Sequence, residues 1–330
     1  MPGEFSSGAR LEIRITPADV GKRVSVRQLV EIADGHPTFT DTVGVLVSWD
    51  AGVVCVTRRN GETVRIAEAS LVAGKVVPPA PRRRVRGVPD VTAEELDAVA
   101  ARAWPPAETD RLGDWTLRAS GGFTRRANSV LVAGDPGVPL DDALAQVVSW
   151  YAGRGLTPWL QLPDTSPYAA ELDARGWRRV ADTLVRTAPL APLTLLPEPA
   201  DGSPEGGVSL ARTPDAAWLA AYHRTGDLAD AALKVVTGGP SVWFATMPGA
   251  IGRAVVDGPW ALFGAVEVIP ERRRRGLGSA IMGALARQAA AEGATAAYLQ
   301  VEADNAAALA MYDRMGFTDH HGYHYRRPAA

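Results

Sequence analysis

Arg273-Arg274-Arg275-Gly276-Leu277-Gly278 stands between an apolar run and a long periodic one, and its reading decides the fold. Upstream, Trp260 to Ile269 is apolar enough for a mostly buried strand, and Pro270 stops it. Downstream, Leu277, Ile281, Leu285 and Ala289 repeat at helical spacing. Strand, glycine loop and helix start together form an anion cradle. The first N–H groups of a helix lack intrahelical acceptors and the dipole is positive there, so main chain holds a phosphate. Gly276 and Gly278 let backbone approach without a Cβ, and the arginines add forked donors. The stretch predicts a site for a diphosphate-bearing ligand.

The chain around this loop has 330 residues, enough for two or three domains. Hydrophobic residues make up 46% and charged ones 22%, a globular balance, and no apolar run reaches the length of a bilayer span. Residues 1–10 carry no signal-peptide core and are expected to be a loose tail. Cys55 is the only cysteine, so no internal disulfide forms, and a cytoplasmic location is expected. It lies within Val53-Val54-Cys55-Val56 and reads as a buried strand residue, not a nucleophile. A net charge of −2 argues against a general nucleic-acid binder. Lysine stands only at Lys22, Lys75 and Lys234; this arginine and alanine excess reads as coding bias.

Three segments are expected. Residues 1–80 form the first: from 11 to about 78, valines at 24, 26, 43, 45, 47 and 53–56 alternate or cluster among the turn signals Asp34-Gly35, Asp50-Ala51-Gly52 and Asn60-Gly61. Several short strands with tight turns predict a small all-β barrel of SH3-like type. Pro78-Pro79-Ala80-Pro81-Arg82-Arg83-Arg84 reads as a stiff, solvated linker. Residues 90–190 mix helix (93–103, 141–153, 168–175) with strand (115–119, 128–132, 159–162, 183–186). After a proline-rich stretch from Pro189 to Gly207, residues 208–330 repeat the mixed pattern.

One piece repeats visibly. Trp159-Leu160-Gln161-Leu162, followed by Tyr168 to Arg175 and Gly176-Trp177, parallels Tyr298-Leu299-Gln300-Val301, followed by Leu309 to Met315 and Gly316-Phe317. Each copy is a strand, a helix, a glycine suited to a left-handed helix stop, and an aromatic. The earlier copy has Gly134-Asp135-Pro136-Gly137 where the later one has the arginine-glycine loop. Only the C-terminal copy is therefore expected to hold the diphosphate.

These residues resemble the GNAT superfamily of acyl-CoA-dependent acetyltransferases. Arg273-x-x-Gly276-x-Gly278 is similar to the superfamily's pyrophosphate loop, and Val266-Glu267-Val268 to the end of its splayed central strand. Asn305, Ala308, Tyr312, Gly316 and Phe317 match the signature after the fifth strand. The resemblance covers about 208 to 327 and makes residues 90–190 a degenerate second copy, as in tandem GNAT enzymes. It implies an α/β (α+β) GNAT fold with a mixed central sheet in tandem halves, behind the barrel. It further implies acetyl-CoA as co-substrate, held by Val266, Val268, Arg273, Arg274, Arg275, Gly276, Leu277, Gly278, Ser279, Asn305 and Tyr312.

The chemistry points to further residues. Strand alternation turns the Glu267 carboxylate towards the cleft when Val266 and Val268 are buried, which makes it the first candidate base. Glu302 is the second. In the resembling ribosomal-protein acetyltransferases the base position falls on Gln300, which cannot serve. Tyr312 is the candidate acid for the departing thiolate. Arg126 and Asn128, in a polar loop of the degenerate half, are expected to face the acceptor. His320, His321 and His324 are placed in the sixth and seventh strands and their turn, where one is left as a pocket candidate; no metal is expected. Trp115 and Trp218 are read as core. Three functions stay open: acetylation of a small amine or amino-acid-like acceptor, acetylation of protein lysine with the barrel recruiting the target, and a non-catalytic acyl-CoA sensor. No membrane partner is expected, and nucleic acid is disfavoured.

Overall fold

The structure is a computed structural model that describes residues 12–33, 36–58, 62–77, 87–198, 206–223 and 229–329. The N-terminal tail, the turns at Asp34-Gly35 and Asn60-Gly61, the linker from Pro78 to Arg84 and most of the proline-rich stretch beyond Glu198 lie outside these. The chain divides into two compact units, Met1–Arg83 and Arg84–Ala330.

The first unit is all-β. Its strands are β1 (Arg23–Ala33), β2 (His36–Asp50), β3 (Val53–Arg58), β4 (Thr63–Ala67) and β5 (Leu71–Val76). They form one antiparallel sheet in the order β4-β3-β2-β1-β5. Val24, Val26, Leu46, Val54, Val56 and Ile66 fill its core, and Cys55 is buried beside them. On β2 the alternation runs opposite to hydrophobicity: Thr42, Gly44 and Leu46 point inwards, while Val43, Val45 and Val47 are exposed.

The second unit runs α1 (Ala93–Ala103), β6 (Glu108–Leu112), β7 (Trp115–Ala119), β8 (Val130–Leu131), α2 (Leu140–Ala152), β9 (Leu160–Pro163), α3 (Ala169–Ala174), β10 (Trp177–Pro189) and α4 (Leu190–Thr194). It continues through β11 (Ser209–Ala211), α5 (Ala216–Ala221), α6 (Ala229–Thr237), β12 (Ser241–Met247), β13 (Ala250–Asp257), β14 (Trp260–Val268), α7 (Leu277–Ala291), β15 (Ala296–Glu302), α8 (Ala306–Arg314) and β16 (Thr318–Pro328). Thr92 starts α1 with a reciprocal capping box: its hydroxyl accepts from the Glu95 N–H at 3.1 Å and the Glu95 carboxylate accepts from the Thr92 N–H at 2.6 Å. Gly176 (φ 73°) and Gly316 (φ 86°) take the left-handed conformation expected of the two helix stops. Trp177 and Phe317 are buried behind them.

All eleven strands share one mixed sheet, ordered β11-β12-β13-β14-β15-β10-β16-β9-β8-β7-β6. Its centre is a reciprocal exchange. β10 belongs to the earlier repeat yet pairs with β15, from Thr183↔Glu302 to Pro189↔Ala296. β16 belongs to the later repeat yet pairs with β9, from Tyr323↔Pro163 to Arg326↔Leu160. Each half therefore completes the other's sheet. Three apolar clusters pack on the faces: one under α7, a second joining α1, α5 and α6, and a third around α2 with Trp115. Trp115 and Trp218 are fully buried in two of them.

The exchange corrects the histidine placement. β16 is one continuous strand against β10, so His320, His321 and His324 lie on it without an intervening turn. His321 ties β16 to α1 through Nε2 and the buried Asp97 Oδ1 at 3.2 Å. Fully buried His324 faces Asp164 through Nδ1 at 3.0 Å and accepts from Arg326 Nε through Nε2 at 3.1 Å. Burial, with Arg179 and Arg326 nearby, pulls its pKa below the ordinary 6.5, although Asp164 opposes the shift. A base with a lowered folded pKa favours the unfolded chain once that chain protonates, so stability falls as pH drops through about 6.5. Thermal melts are expected to lose Tm more steeply between about pH 8 and about pH 5 in the native protein than in His324→Gln. Equal slopes would remove His324 from the acid response.

Candidate active site

β14 and β15 run parallel and pair only at Trp260↔Ala296, Ala261↔Ala297 and Leu262↔Tyr298. Beyond Leu262 the β15-facing edge of β14 has no ladder partner among the described residues, which leaves its main chain facing a cleft. β14 is also bulged here: Gly264 and Glu267 oppose Arg253 and Ile251, so β14 carries one residue more than β13 over this span. Ala265 absorbs the extra residue with φ 50°, a conformation costly for a side chain. The bulge re-aims Val266, Glu267 and Val268, all of which line the opening.

A cleft of about 800 Å³ runs from these residues to the arginine-glycine loop and is lined by Arg273, Arg274, Gly276, Leu277, Gly278 and Ser279. Gly276 caps α7 with φ 81° and ψ 0°, the left-handed region that favours glycine. A Cβ on Gly278 would meet only Val268 and Met311, at 3.7 and 3.6 Å, so protein packing does not demand glycine there. A side chain at that point would instead fill the cleft beside the helix start. Gly252, behind the cleft, is demanded by packing, since a Cβ there would collide with Ile281 of α7. Arg273 donates from Nε to the Val268 carbonyl at 3.1 Å, fastening the loop to the strand end. Arg275 is exposed and stands outside the lining of this cleft; Arg274 turns the chain with φ 62° just before it.

A second pocket, about 230 Å³, adjoins the first through Val266, Glu267 and Ala308. Both repeats build it. Trp104, Thr124, Arg125 and Arg126 come from the earlier one, and Gln300, Glu302, Asn305, Tyr312, Tyr323 and Tyr325 from the later. Glu267 stands at the junction, half-buried, with no hydrogen-bond or ion-pair partner among the described residues. Glu302 is exposed and accepts from Arg125 Nη2 at 2.7 Å. Tyr312 is half-buried with its ring edge-on to Phe317 at 5.6 Å. Asn305 caps α8 by accepting from the Ala308 N–H at 3.1 Å, so its Oδ1 is already committed to the helix. Buried Arg186 pins α8 to β10: it donates to Asp313 and Asp319 at 2.6 and 2.7 Å and to the Phe317 carbonyl at 3.0 Å.

Two expectations about this pocket change. Asn128 is a latch and does not face the acceptor. Its Oδ1 accepts from the Ser120 and Gly122 N–H groups at 2.8 and 2.9 Å, and its Nδ2 donates to the Phe123 and Thr124 carbonyls at 2.6 and 2.9 Å. None of His320, His321 and His324 lines the pocket; His223 lines the larger cleft instead. Nothing in the sequence pattern marks Trp104, Tyr222, Tyr323 and Tyr325 as the pocket walls they form.

The earlier repeat fills its own loop. The Asp135 N–H donates to Asp114 Oδ2 at 2.9 Å and the Gly137 N–H to Asp135 Oδ1 at 2.7 Å, so protein carboxylates already occupy those donors. Elsewhere, Asp164, Asp182 and His324 bring ligand-type atoms within 4.8 Å of one another. Arg179 bridges the two carboxylates at 3.0 and 2.7 Å, which makes the cluster an ion-pair network. Among the described residues no helix is long and apolar enough to cross a membrane.

A mixed sheet that opens past one parallel strand pair, with a bulge and a glycine-started helix at the opening, defines a GNAT acetyltransferase. The comparisons place the chain within that class. It belongs to the family described as "Probable histone acetyltransferase Rv0428c C-terminal", matched over residues 92–326. Residues 18–75 match "Rv0428c N-terminal Sm-like domain", which refines the SH3-like expectation. The chain is 33% identical over 319 residues to the Mycobacterium tuberculosis (strain ATCC 25618 / H37Rv) protein described as "Probable histone acetyltransferase Rv0428c", covering 93% of this chain and 94% of that one. It is 25% identical over 340 residues to a mycothiol acetyltransferase of Kocuria rhizophila, covering 94% and 98%. Among solved structures, a GCN5-related N-acetyltransferase from Kribbella flavida shares the fold with a TM-score of 0.53 at 20% identity, covering 74% of this chain and 98% of that one.

Proposed function

We propose that this chain transfers the acetyl group of acetyl-CoA to the primary amine of a small acceptor by direct attack. The junction of the two clefts at Glu267 carries this reading. The long cleft suits coenzyme A: the α7 N-terminus and Arg273, Arg274, Gly276, Leu277, Gly278 and Ser279 take the pyrophosphate, and the open edge of β14 at Val266 and Val268 takes the pantetheine amides. The acceptor enters from the smaller pocket. Glu267 removes the amine proton, the nitrogen bonds to the thioester carbon, and backbone N–H groups of the bulged strand stabilise the oxyanion. Tyr312 then donates to the departing sulfur. Glu302, held by Arg125, serves the acceptor side in place of the reacting nitrogen.

The second reading, acetylation of a protein lysine, is favoured by one observation, the name of the Mycobacterium tuberculosis relative. Thiol release from acetyl-CoA with a panel of small amines, set beside histones and lysine peptides, separates the two. Turnover with small amines supports the first reading; turnover confined to protein lysine overturns it.

A further inference from the structure

Three arginines gather behind the smaller pocket with no carboxylate paired to them among the described residues. Arg253 is fully buried and donates only to backbone carbonyls: Nε to Val236 at 2.6 Å and Nη2 to Gly238 and Ala103 at 2.6 and 3.1 Å. Buried Arg118 ends on the Ser129 carbonyl, the Ser129 hydroxyl and Gln161 Oε1 at 2.9, 2.8 and 2.8 Å, all neutral acceptors. Arg126 lines the pocket itself, with its guanidinium over the Trp104 ring at 5.7 Å; Arg253 lies over the same ring at 4.9 Å. The other two buried arginines behave differently: Arg186 reaches Asp313 and Asp319, and Arg326 reaches Asp173.

Burying a cation without a counter-charge is costly unless something completes it. Burial holds the Arg118 guanidinium below its usual pKa and brings that of Arg253 down to about 9; the Arg126 charge adds to both shifts. Two donors also have no hydrogen-bond partner among the described residues, the buried Arg126 Nε and Arg253 Nη1. The pocket is lined with Tyr222, Tyr323 and Tyr325 on the Arg126 side, and its carboxylates are Glu302, already paired with Arg125, and Glu267 at the junction with the donor cleft. It is therefore polarised: among the described residues the Arg126 cation has tyrosine hydroxyls beside it, Tyr323 hydrogen-bonded, and no paired carboxylate, while Glu267 stands unpaired at the junction of the two clefts.

Resting on the proposed transfer to a small amine, we infer that the acceptor is a zwitterion whose carboxylate seats on Arg126 while its amine turns to Glu267. An arginine fork matches a carboxylate in two parallel bonds and supplies the missing counter-charge. A lysine side chain of a protein brings an ammonium and no anion, so Arg126 selects against it.

The test compares each of a set of amino acids with its carboxamide and its decarboxylated amine, by thiol release and by thermal unfolding. The carboxylate forms are expected to show kcat/KM at least tenfold above their neutral partners and to raise Tm where the partners do not. Arg126→Met and Arg126→Lys are expected to erase that preference through the acceptor KM, with KM for acetyl-CoA unchanged. Equal turnover of acid and amide would overturn the inference while leaving small-amine transfer standing. Silence with every small amine alongside protein acetylation would overturn the transfer reading. In that case the melts still decide: a Tm rise common to acids and amides, or absent from both, also rejects the Arg126 seat.

Discussion

Glu267→Gln is expected to lower kcat by about 10²–10³-fold near neutral pH, within the usual range for loss of a positioned base. An alkyl ammonium with pKa about 10.4 is neutral in only about one molecule in a few thousand at pH 7, a deficit of about 4–5 kcal/mol. A base within reach of the nitrogen recovers part of it. Glu267 is suited to this by position and by isolation: it stands where the two clefts meet, without a partner among the described residues. Glutamine keeps the shape and loses the basicity. The deficit is therefore largest at low pH, where the free amine is scarcest, and narrows as pH rises towards the amine's own pKa. KM for acetyl-CoA is expected to stay within about twofold, since the arginine-glycine loop is untouched. A pH–rate profile lowered uniformly across the range would show that Glu267 orients the acceptor without taking its proton. Unchanged kinetics would remove it altogether.

The strand, glycine loop and helix start were legible because such a turn needs particular residues in order. A left-handed cap, a close approach and a helix start demand Gly276 and Gly278 after an apolar strand, and the loop occupies the expected place. Helix α1 was readable to its ends because Thr92 and Glu95 are a capping pair set before a periodic run. The smaller pocket was not legible. Its walls come from both repeats, and the exchange of β10 and β16 sets the frame. Each of those strands has a pattern that either neighbour satisfies, so periodicity does not say which sheet it joins. Gly322 sits mid-strand, where a Cβ would strike Asp164. The β14 bulge falls on an ordinary alanine, and the valines of β2 face outwards, so alternation alone misplaces both. Asn128 has the polarity of a substrate ligand, and only its four hydrogen bonds reveal a latch.

Tyr312→Phe isolates a single oxygen. The ring packs edge-on to Phe317 at 5.6 Å, and phenylalanine keeps that contact, so the variant is expected to fold. What is lost is a donor for the developing charge on sulfur. A thiol and a phenol ordinarily have pKa values of about 8.5 and about 10, so complete transfer from phenol to thiolate is uphill by about 2 kcal/mol. On the proposed mechanism the hydroxyl then acts mainly as a hydrogen-bond donor during C–S cleavage, and charge-assisted bonds of that kind are worth about 1.5–3 kcal/mol. Converted to rate, the loss is about 10–10²-fold in kcat. The position of Tyr312 is secured from behind: Arg186 fastens α8 through Asp313 and the Phe317 carbonyl, so the phenyl variant keeps its helix in place. Acceptors and thioesters report differently on this step. Thioesters with a more acidic leaving thiol need less assistance, so the deficit of Tyr312→Phe is expected to shrink with them and to stay constant across amines. A deficit that follows the amine and ignores the thiol would place Tyr312 on the acceptor side of the reaction. Full turnover would leave solvent water as the proton donor.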